Sequence, residues 1–492
     1  MTDPAQLSSF RTIDVASLPT GLFIDGGWRD GREGKSVEVI DPSSGMTIVS
    51  VADAMVEDAM EAVDAAARAG SGWATTSPRK RSEILRRCFE LMIEKRDMLA
   101  ELISLENGKT IGDAQGEVTY AAEFFRWFAE EAVRLNGEIS TAPGGTNKMI
   151  VQHQPIGIAV LVTPWNFPAA MATRKIAPAL AAGCTCVLKP ATETPLTALV
   201  LADLYSEAGV PDGVINVITS SQSGPVVKAM LNDPRVRKLS FTGSTQVGRI
   251  LLREAAETVI SCSMELGGNA PFIVFDDADL DAAIEGAMVA KMRNGGEACT
   301  AANRFYVQAN IADAFSARLS QRMGSLIVAA GYDKSAQCGP MINQRAVERL
   351  SGLVEDAKAR GAKVIAGGNR MEGSGFFFAP TVLTDVPAGS QILSQEIFGP
   401  VVAISRFHTE DEVVELANGT EYGLVSYVYT QDLARGLRVS ERMDSGMVGL
   451  NRGLVSDPAA PFGGTKQSGL GREGAHHGVL EFCETKYIAV SW

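Results

Sequence analysis

Short apolar runs alternate with Ala-rich segments from Ile156 onward, and this alternation is the strongest constraint on the fold. The region reads IGIAVLVT, PAAMATRKIAPALAAG, CTCVLK, LTALVLADLYSEAG and VINVIT, and continues with SGPVVKAML, VRKLSFTG and STQVGRILLREAAE. Apolar runs without polar alternation are typical of strands buried on both faces, and the segments between them have the character of crossover helices. Because such crossovers are right-handed, the pattern predicts a doubly wound α/β sheet.

Further elements surround this block. A second alternating region starts near Ala270 with APFIVF and DLDAAIEGAMVAKMRN and continues through RFYVQ and KVIAGG to about Gly449. FIDGGWRDG predicts a hairpin, residues 53–134 are helical in pattern, and the closing KYIAVSW reads as a strand that another subunit could pair. A chain of 492 residues is therefore expected to form two or three domains.

Composition excludes several classes of function. The net charge of −13 disfavours nucleic acid and anionic lipid as partners, and no 18-residue apolar stretch predicts a membrane span. The MTDPAQLSSF start lacks signal-peptide features, and no Cys or His spacing predicts a metal site. We therefore expect a reduced, cytoplasmic protein without a metal. The densest basic cluster is interpreted as the solvated face of a helix: Arg79, Lys80, Arg81, Arg86 and Arg87.

Two glycine-containing segments compete as candidate phosphate sites. Gly469, Gly471 and Gly474 have G-x-G-x-x-G spacing, but no strand leads into them, so a flexible loop is the better interpretation. In FTGSTQVG a strand ends at Phe241 and Ser244 can cap a helix, whose free N–H groups would attract an anion. Taken alone, FTGSTQVG is better explained as an ordinary strand-to-helix turn.

Three segments carry residues suited to catalysis. Glu265 in MELGGNAP lies among apolar residues and suits a general base, although a buried structural Glu is an equal alternative. Cys299 in GGEACTAANR is a candidate nucleophile rather than an inert core thiol, and Arg293 and Arg304 are expected to favour its thiolate. Asn166 in VTPWNFP is a candidate donor to an oxyanion.

Together these motifs resemble a known family. WNFP, KPAT-ETP, FTGST--G, MELGGNAP, G-E-A-C, EIFGPV and PFGG-K-SG occur in the order and spacing of the NAD(P)-dependent aldehyde dehydrogenase superfamily, from about Phe23 to Trp492. FPAAMATRKIAPALAAG and GNAPFIVFDDADLD are most similar to succinate-semialdehyde dehydrogenases. The resemblance implies that an aldehyde is oxidised to a carboxylic acid through a cysteine thiohemiacetal and thioester.

The resemblance also implies residue roles. Cys299 would be the nucleophile, Glu265 the base and Asn166 the oxyanion donor. A distal substrate carboxylate would be held by Arg174, Arg293 and Ser456. The expected NAD or NADP contacts are Thr163, Trp165, Lys189, Ala191, Thr192, Gly243, Ser244, Leu266, Glu396 and Phe398.

The architecture implied by the resemblance has three parts. A Rossmann-type cofactor domain would comprise residues 1–131 and 154–264, and an α/β catalytic domain residues 265–462. A small β oligomerisation element would comprise residues 132–153 and 463–492, with its tail strand joining a neighbour's sheet in a homodimer or homotetramer.

Four positions depart from the family pattern. Thr192 stands where NAD-preferring members often carry Glu, so NADP is expected to be accepted and even preferred. Ala301 replaces the second cysteine of a redox switch, which predicts that no switch disulfide forms. Met292 replaces an aromatic residue and is expected to reshape the substrate tunnel, and Glu297 stands where many members have Gln.

Other functions remain open at this point. The same chemistry could act on glutarate semialdehyde, a hydroxyaldehyde or an aliphatic aldehyde. A cysteine hydrolase or acyltransferase would normally need a histidine base, and the four histidines lie outside every motif: His153, His408, His476 and His477. A non-catalytic binding protein is disfavoured because Cys299, Glu265 and Asn166 are all present.

Overall fold

The computed structural model describes residues 13–491. The MTDPAQLSSF start, on which the expectation about a signal peptide depends, and Trp492 lie outside this range. Among the described residues, no helix is both long and apolar enough to span a bilayer.

The elements are numbered in chain order. Those before residue 190 are β1 (Leu22–Ile24), β2 (Gly27–Arg29), β3 (Ser36–Asp41), β4 (Met46–Ala52), α1 (Val56–Ala74), α2 (Pro78–Glu94), α3 (Arg96–Asn107), α4 (Ile111–Glu131), β5 (Glu138–Thr141), β6 (Lys148–Pro155), β7 (Ile158–Val162), α5 (Pro168–Ala182) and β8 (Thr185–Lys189). Those that follow up to residue 324 are α6 (Leu196–Glu207), β9 (Ile215–Val217), α7 (Ser223–Leu231), β10 (Val236–Thr242), α8 (Thr245–Ala256), β11 (Ser261–Glu265), β12 (Ala270–Val274), α9 (Leu280–Met292), β13 (Ala302–Gln308) and α10 (Ala312–Gly324).

The remaining elements complete the second half. They are α11 (Gln344–Ala359), β14 (Lys363–Ala366), β15 (Thr381–Thr384), α12 (Gln391–Ser394), β16 (Val401–Phe407), α13 (Glu410–Asn418), β17 (Tyr422–Gly423), β18 (Val425–Tyr429), α14 (Leu433–Arg442), β19 (Met447–Leu450), β20 (Thr465–Lys466), β21 (Gly469–Leu470), α15 (Ala475–Leu480) and β22 (Cys483–Val490).

The first large sheet has eight strands in the order β2-β1-β9-β8-β7-β10-β11-β21. Its five central strands are parallel, as the alternating sequence pattern predicts. Successive side chains of β7 face opposite sides: Ala159 and Leu161 pack with helices α4 to α6, whereas Ile158 and Val160 pack with α1 and α7. Burial on both faces explains why these strands are apolar throughout.

The second large sheet has seven strands in the order β14-β15-β16-β13-β12-β18-β19, and only its edge strand β14 is antiparallel. Phe272 and Val274 of β12 pack toward α9 and α10, and Ile273 packs toward α13 and α14. This sheet is the second α/β region that the sequence predicts from Ala270.

The C-terminal segment contacts several parts of the chain. Strand β22 pairs antiparallel with β6 of the same chain, in a three-stranded sheet ordered β22-β6-β5. The glycine-rich loop is more ordered than its sequence suggests, because β21 pairs with β11 at the edge of the first sheet. Gly469 has φ +139°, and an added Cβ there would lie 1.9 Å from the Met264 carbonyl oxygen. The tail therefore closes over the first sheet.

The interpretation of the basic cluster on α2 is wrong at one position. Arg81 is buried, and its guanidinium donates to the carbonyl oxygens of Ala181 at 3.1 Å and Thr76 at 2.6 Å. The position of Arg81 along α2 could not predict its burial, because its hydrogen-bond partner Ala181 lies near the end of another helix, 100 residues away. Arg79, Lys80 and Arg86 are exposed, as the sequence predicts.

We expect Arg81→Met to lower the apparent midpoint of thermal unfolding, whereas Arg79→Met should not. The Met side chain fills space but leaves buried carbonyl groups without a donor, at about 1–3 kcal/mol each. The two midpoints can be compared in one thermal scan. Equal midpoints for the two variants would show that these hydrogen bonds contribute nothing to stability.

Candidate active site

The carboxyl ends of four parallel strands meet at one edge of the first sheet. Val162 of β7 is paired with Lys189 of β8, and Thr242 of β10 is paired with Glu265 of β11, so these strands end side by side. Open α/β sheets bind ligands at this edge. A cavity of about 360 Å³ opens there against the second sheet.

Most of the predicted site residues line this cavity. They are Trp165, Asn166, Arg174, Gly243, Ser244, Leu266, Arg293, Cys299, Glu396, Phe398 and Ser456. Five predicted residues are not among its lining: Thr163, Lys189, Ala191, Thr192 and Glu265. Additional lining comes from residues that sequence reasoning did not select, including Tyr120, Phe167, Met171, Thr300, Arg349 and Phe462.

Cys299 follows a short 3₁₀ turn after α9. Asn294, Gly295 and Gly296 all have positive φ, and a Cβ on Gly296 would lie 2.3 Å from the Gly399 carbonyl oxygen, so this turn requires a glycine. Burial raises the pKa of the Cys299 thiol to about 12, and the charge of Arg174 opposes that rise. Among the described residues, the backbone N–H of Cys299 donates no hydrogen bond. The nucleophile is therefore a thiol beside a free N–H donor.

Asn166 is fixed from two sides. Its side-chain Nδ2 donates to the main-chain carbonyl oxygen of Glu297 at 2.9 Å. The main-chain carbonyl oxygen of Asn166 accepts from Asn294 Nδ2 at 2.8 Å and from Lys109 Nζ at 2.7 Å. One Nδ2 hydrogen is occupied by Glu297, which leaves the second for a ligand. The amide thus bridges the loop after β7 and the loop that carries Cys299.

A buried ion pair supports this loop. Lys109 Nζ lies 2.6 Å from Glu117 Oε2, and both side chains are fully buried. The other carboxylate oxygen of Glu117 accepts the N–H groups of Ala169 and Ala170 in the first turn of α5. A carboxylate at a helix N-terminus satisfies donors that have no partner within the helix. The pair therefore holds both Asn166 and the helix after it.

Glu265 ends strand β11 and is buried beside Gly463, where an added Cβ would lie 3.0 Å from Oε1. Burial, followed by the charge of Glu473, raises the pKa of Glu265 well above its usual range. Glu473 itself pairs with Lys175 and Arg174, and these two cations hold the pKa of Glu473 below its usual value against burial. Of these two neighbouring carboxyl groups, Glu265 therefore favours the protonated form and Glu473 the ionised form.

The cofactor residues are suited to a dinucleotide phosphate and ribose. Ser244 caps α8 by accepting from the Val247 N–H at 3.3 Å, and the free N–H groups of the first turn form an anion site. Among residues 13–491 the Lys189 ammonium makes no hydrogen bond or ion pair, and burial lowers its pKa to about 8. Glu396 accepts from the Gly268 N–H at 3.1 Å, and a Cβ on Gly267 would crowd its carboxylate. An unpaired cation, an anion site and a fixed carboxylate are the groups that such a cofactor needs.

Two expectations about the surroundings of Cys299 need correction. Arg304 binds the carbonyl oxygens of Asn269, Leu416 and Ala417, so Arg174 and Arg293 are the cations that act on the thiol. Met292 is part of the core of the second sheet and does not line the cavity.

Glu297 lies near the site without facing it. Its carboxyl group is buried and accepts from the Ile342 N–H at 3.2 Å, and burial raises its pKa to about 8. Its backbone carbonyl, rather than its side chain, contacts Asn166.

The sequence missed residues whose role depends on distant partners. Lys109 and Glu117 lie in segments without a recognisable motif spacing, and Tyr120 lies on an Ala-rich helix. Glu473 lies within the G-x-G-x-x-G segment, for which the sequence predicts a flexible loop. The polar surroundings of Lys109 in ELISLENGKT give no sign that the structure buries its side chain.

Comparison with known proteins agrees with this geometry. Residues 28–488 match the aldehyde dehydrogenase family. The chain is 53% identical over 444 residues to succinate-semialdehyde dehydrogenase of Paenarthrobacter nicotinovorans, covering 90% of this chain and 99% of that protein. It is 47% identical over 469 residues to glutarate-semialdehyde dehydrogenase of Pseudomonas putida, covering 95% and 97%. The crystal structure of an NADP dependent enzyme of E. coli superposes with a TM-score of 0.96 at 46% identity, covering 98% of this chain and 100% of that one.

The chain belongs to the aldehyde dehydrogenase family. This confirms the predicted fold class and the prediction of an NAD(P)-dependent aldehyde dehydrogenase.

We expect alkylation of Cys299 by iodoacetamide to accelerate about tenfold per pH unit from pH 7 to 9 in the protein without cofactor. With a thiol pKa of about 12, the reactive thiolate remains a minor species that grows with pH throughout this range. The rate is measured by mass spectrometry of the peptide that contains Cys299. Cys299→Ser serves as the control for the other thiols, and a plateau below pH 8 would contradict the raised pKa.

Proposed function

We propose that this protein oxidises succinate semialdehyde to succinate with NADP or NAD. The observation that carries the proposal is that one cavity is lined both by the candidate nucleophile Cys299 and by the candidate oxyanion donor Asn166. The same cavity is lined by the residues expected to hold a distal carboxylate, namely Arg174, Arg293 and Ser456. The 53% sequence identity to the succinate-semialdehyde dehydrogenase of Paenarthrobacter nicotinovorans supports the choice of substrate. Glutarate semialdehyde is the second candidate, since a relative at 47% identity bears that name.

The proposed reaction gives each of these side chains one step. The Cys299 thiol gives its proton to solvent and the thiolate attacks the aldehyde carbon. The resulting oxyanion accepts from the second Nδ2 hydrogen of Asn166 and from the Cys299 N–H. A bound nicotinamide dinucleotide supplies the hydride acceptor. Glu265 first releases its own proton to solvent, and its carboxylate then takes a proton from the water that hydrolyses the Cys299 thioester. The acid is released, and the Cys299 thiolate recovers a proton to give the free thiol.

The electrostatics of Glu265 suit this proton transfer. Its carboxyl group is out of water, and the charges of Arg174, Lys175 and Arg472 offset part of the burial that favours its protonated form. A base with a raised pKa accepts a proton more readily once it has been ionised. The charges of the neighbouring Lys175–Glu473 pair act on Glu265 in opposite directions, since Glu473 raises its pKa and Lys175 lowers it.

The two arginines are not equivalent as ligands for a distal carboxylate. Arg174 is already compensated by Glu473. Arg293 makes no ion pair among the described residues, and its guanidinium lies over the Phe167 ring at 4.9 Å. An unpaired guanidinium in a partly dry cavity attracts a carboxylate strongly. We assign the main share of acid recognition to Arg293.

Acceptance of NADP follows from Thr192, which carries no charge to repel a 2′-phosphate. The Thr192 hydroxyl donates to Glu193 Oε2 at 3.4 Å, so the comparison of the two cofactors also measures whether the Glu193 carboxylate repels a 2′-phosphate. The similarity to an E. coli protein described as an NADP dependent enzyme supports the same choice. The division into domains, the homodimer or homotetramer and the cytoplasmic location stay predictions.

The test is an absorbance assay for NAD(P)H with a panel of aldehydes and both cofactors. We expect succinate semialdehyde to give the highest kcat/KM, NADP to be used at least as well as NAD, and Cys299→Ala to abolish the signal. A preference for a neutral aldehyde would refute the proposed substrate. A strong preference for NAD would refute the cofactor assignment.

We expect Arg293→Ala to lower kcat/KM for succinate semialdehyde about 10- to 100-fold through KM, with little effect on butanal. Hydrogen bonds to a charged group contribute about 1.5–3 kcal/mol, which corresponds to this range. Arg318→Ala, which removes an exposed arginine from α10, is the control. Equal losses with both aldehydes would mean that Arg293 supports the site instead of binding the acid.

A further inference from the structure

Tyr120 of helix α4 lines the cavity. The hydroxyl oxygen is buried and has no hydrogen-bond partner among the described residues. Its ring packs edge-on against Phe124, with centroids 5.0 Å apart, so the side chain is held in place. A buried hydroxyl without a partner is unfavourable, and such a group in a ligand cavity is a candidate for contact with the ligand.

The surroundings of Tyr120 are those of the proposed acid-binding residues. Arg174 and Arg293 both act on the phenol, since their charges lower its pKa against the rise caused by burial. Arg174 is held between aromatic rings, with its guanidinium carbon 4.1 Å from the Phe462 ring centroid. Its Nη2 is a second buried donor without a partner among the described residues. Two unsatisfied donors and an unpaired cation therefore line the same cavity.

The chemistry of these groups specifies what they can bind. A neutral phenol and a guanidinium both donate hydrogen bonds to an anionic oxygen, whereas an alkyl chain end cannot accept a hydrogen bond from either. Because burial raises the pKa of Tyr120 more than the two arginines lower it, the phenol stays protonated and is a hydrogen-bond donor at neutral pH. A neutral aldehyde would leave both donors unpaired, and sites built to hydrogen-bond a ligand discriminate strongly against analogues that lack the partner.

We propose that the Tyr120 hydroxyl donates a hydrogen bond to the distal acid group of the substrate and so selects acidic over neutral aldehydes. This inference rests on the proposed function and adds a residue to its specificity. Tyr120 acts together with Arg293: the guanidinium supplies the charge, and the phenol fixes the direction of the acid group.

The test is Tyr120→Phe, which removes one oxygen and keeps the ring. With saturating NADP, we expect kcat/KM for succinate semialdehyde to fall about 10- to 100-fold through KM, while the value for butanal changes less than about twofold. An unchanged thermal midpoint checks that the variant is folded. Equal effects on the two aldehydes, or no effect on either, would overturn the role of Tyr120.

Tyr205→Phe is a matched control. The Tyr205 hydroxyl is also buried without a partner in the described part of the chain, but Tyr205 lies in the hydrophobic core beside the first sheet and does not line the cavity. This variant should leave both aldehydes unaffected. A selective loss for succinate semialdehyde in Tyr205→Phe would show that loss of any buried hydroxyl produces the effect, and would overturn the inference.

The wild-type enzyme separates this inference from the proposed function. If it does not prefer succinate semialdehyde to butanal, the proposed substrate fails. Tyr120 is then judged by inhibition of butanal oxidation by succinate. A rise of about tenfold in the inhibition constant in Tyr120→Phe would support the contact, and an unchanged constant would overturn it.

Discussion

The hydrogen bond from Asn166 Nδ2 to the Glu297 carbonyl oxygen joins the two halves of the active site. Asn166 follows a strand of the first sheet, and Glu297 belongs to the loop that carries Cys299 beside the second sheet. One amide hydrogen is committed to this contact, so the position of the other is set relative to the nucleophile. Preorganised donors contribute to catalysis because they do not have to reorient during reaction. Lys109 and Asn294 fix the backbone of the same residue.

Buried charge in this protein is arranged in compensated groups. Lys109 pairs with Glu117, and Glu473 pairs with Lys175 and Arg174. Removing charges from water is costly unless partners and hydrogen bonds replace the solvent, so such groups depend on their full set of contacts. Other buried charged side chains, among them Arg81 and Arg304, have carbonyl oxygens as partners instead. Among residues 13–491, two cations at the proposed ligand sites have neither kind of partner. Lys189 and Arg293 have no anionic partner within the described structure, and one is assigned to the cofactor and the other to the substrate.

Local pattern predicted the fold well because strands buried on both faces leave a clear apolar signal, and Gly183 or Ser244 marks a helix end directly. Motif order predicted Cys299, Asn166 and most cavity residues. The sequence did not predict contacts between residues that are distant along the chain. Arg81 donates to the end of a helix 100 residues away, and Lys175 pairs with Glu473, which lies 298 residues away. Tyr120 was missed because the phenol matters through cavity geometry, which spacing along one helix does not encode.

The net charge of −13 would by itself repel an anionic substrate. Exposed carboxylates are screened by salt over about 8–10 Å, so they influence the approach of the substrate more than the bound complex. Inside the cavity the dielectric response is weaker, and one uncompensated guanidinium outweighs many distant surface charges. In the proposed site Arg293 would provide that charge, and the neutralised Arg174 would add donors without adding net charge. Recognition of an acid therefore depends on which charges are paired at the site, and the sum over the chain has little bearing on it.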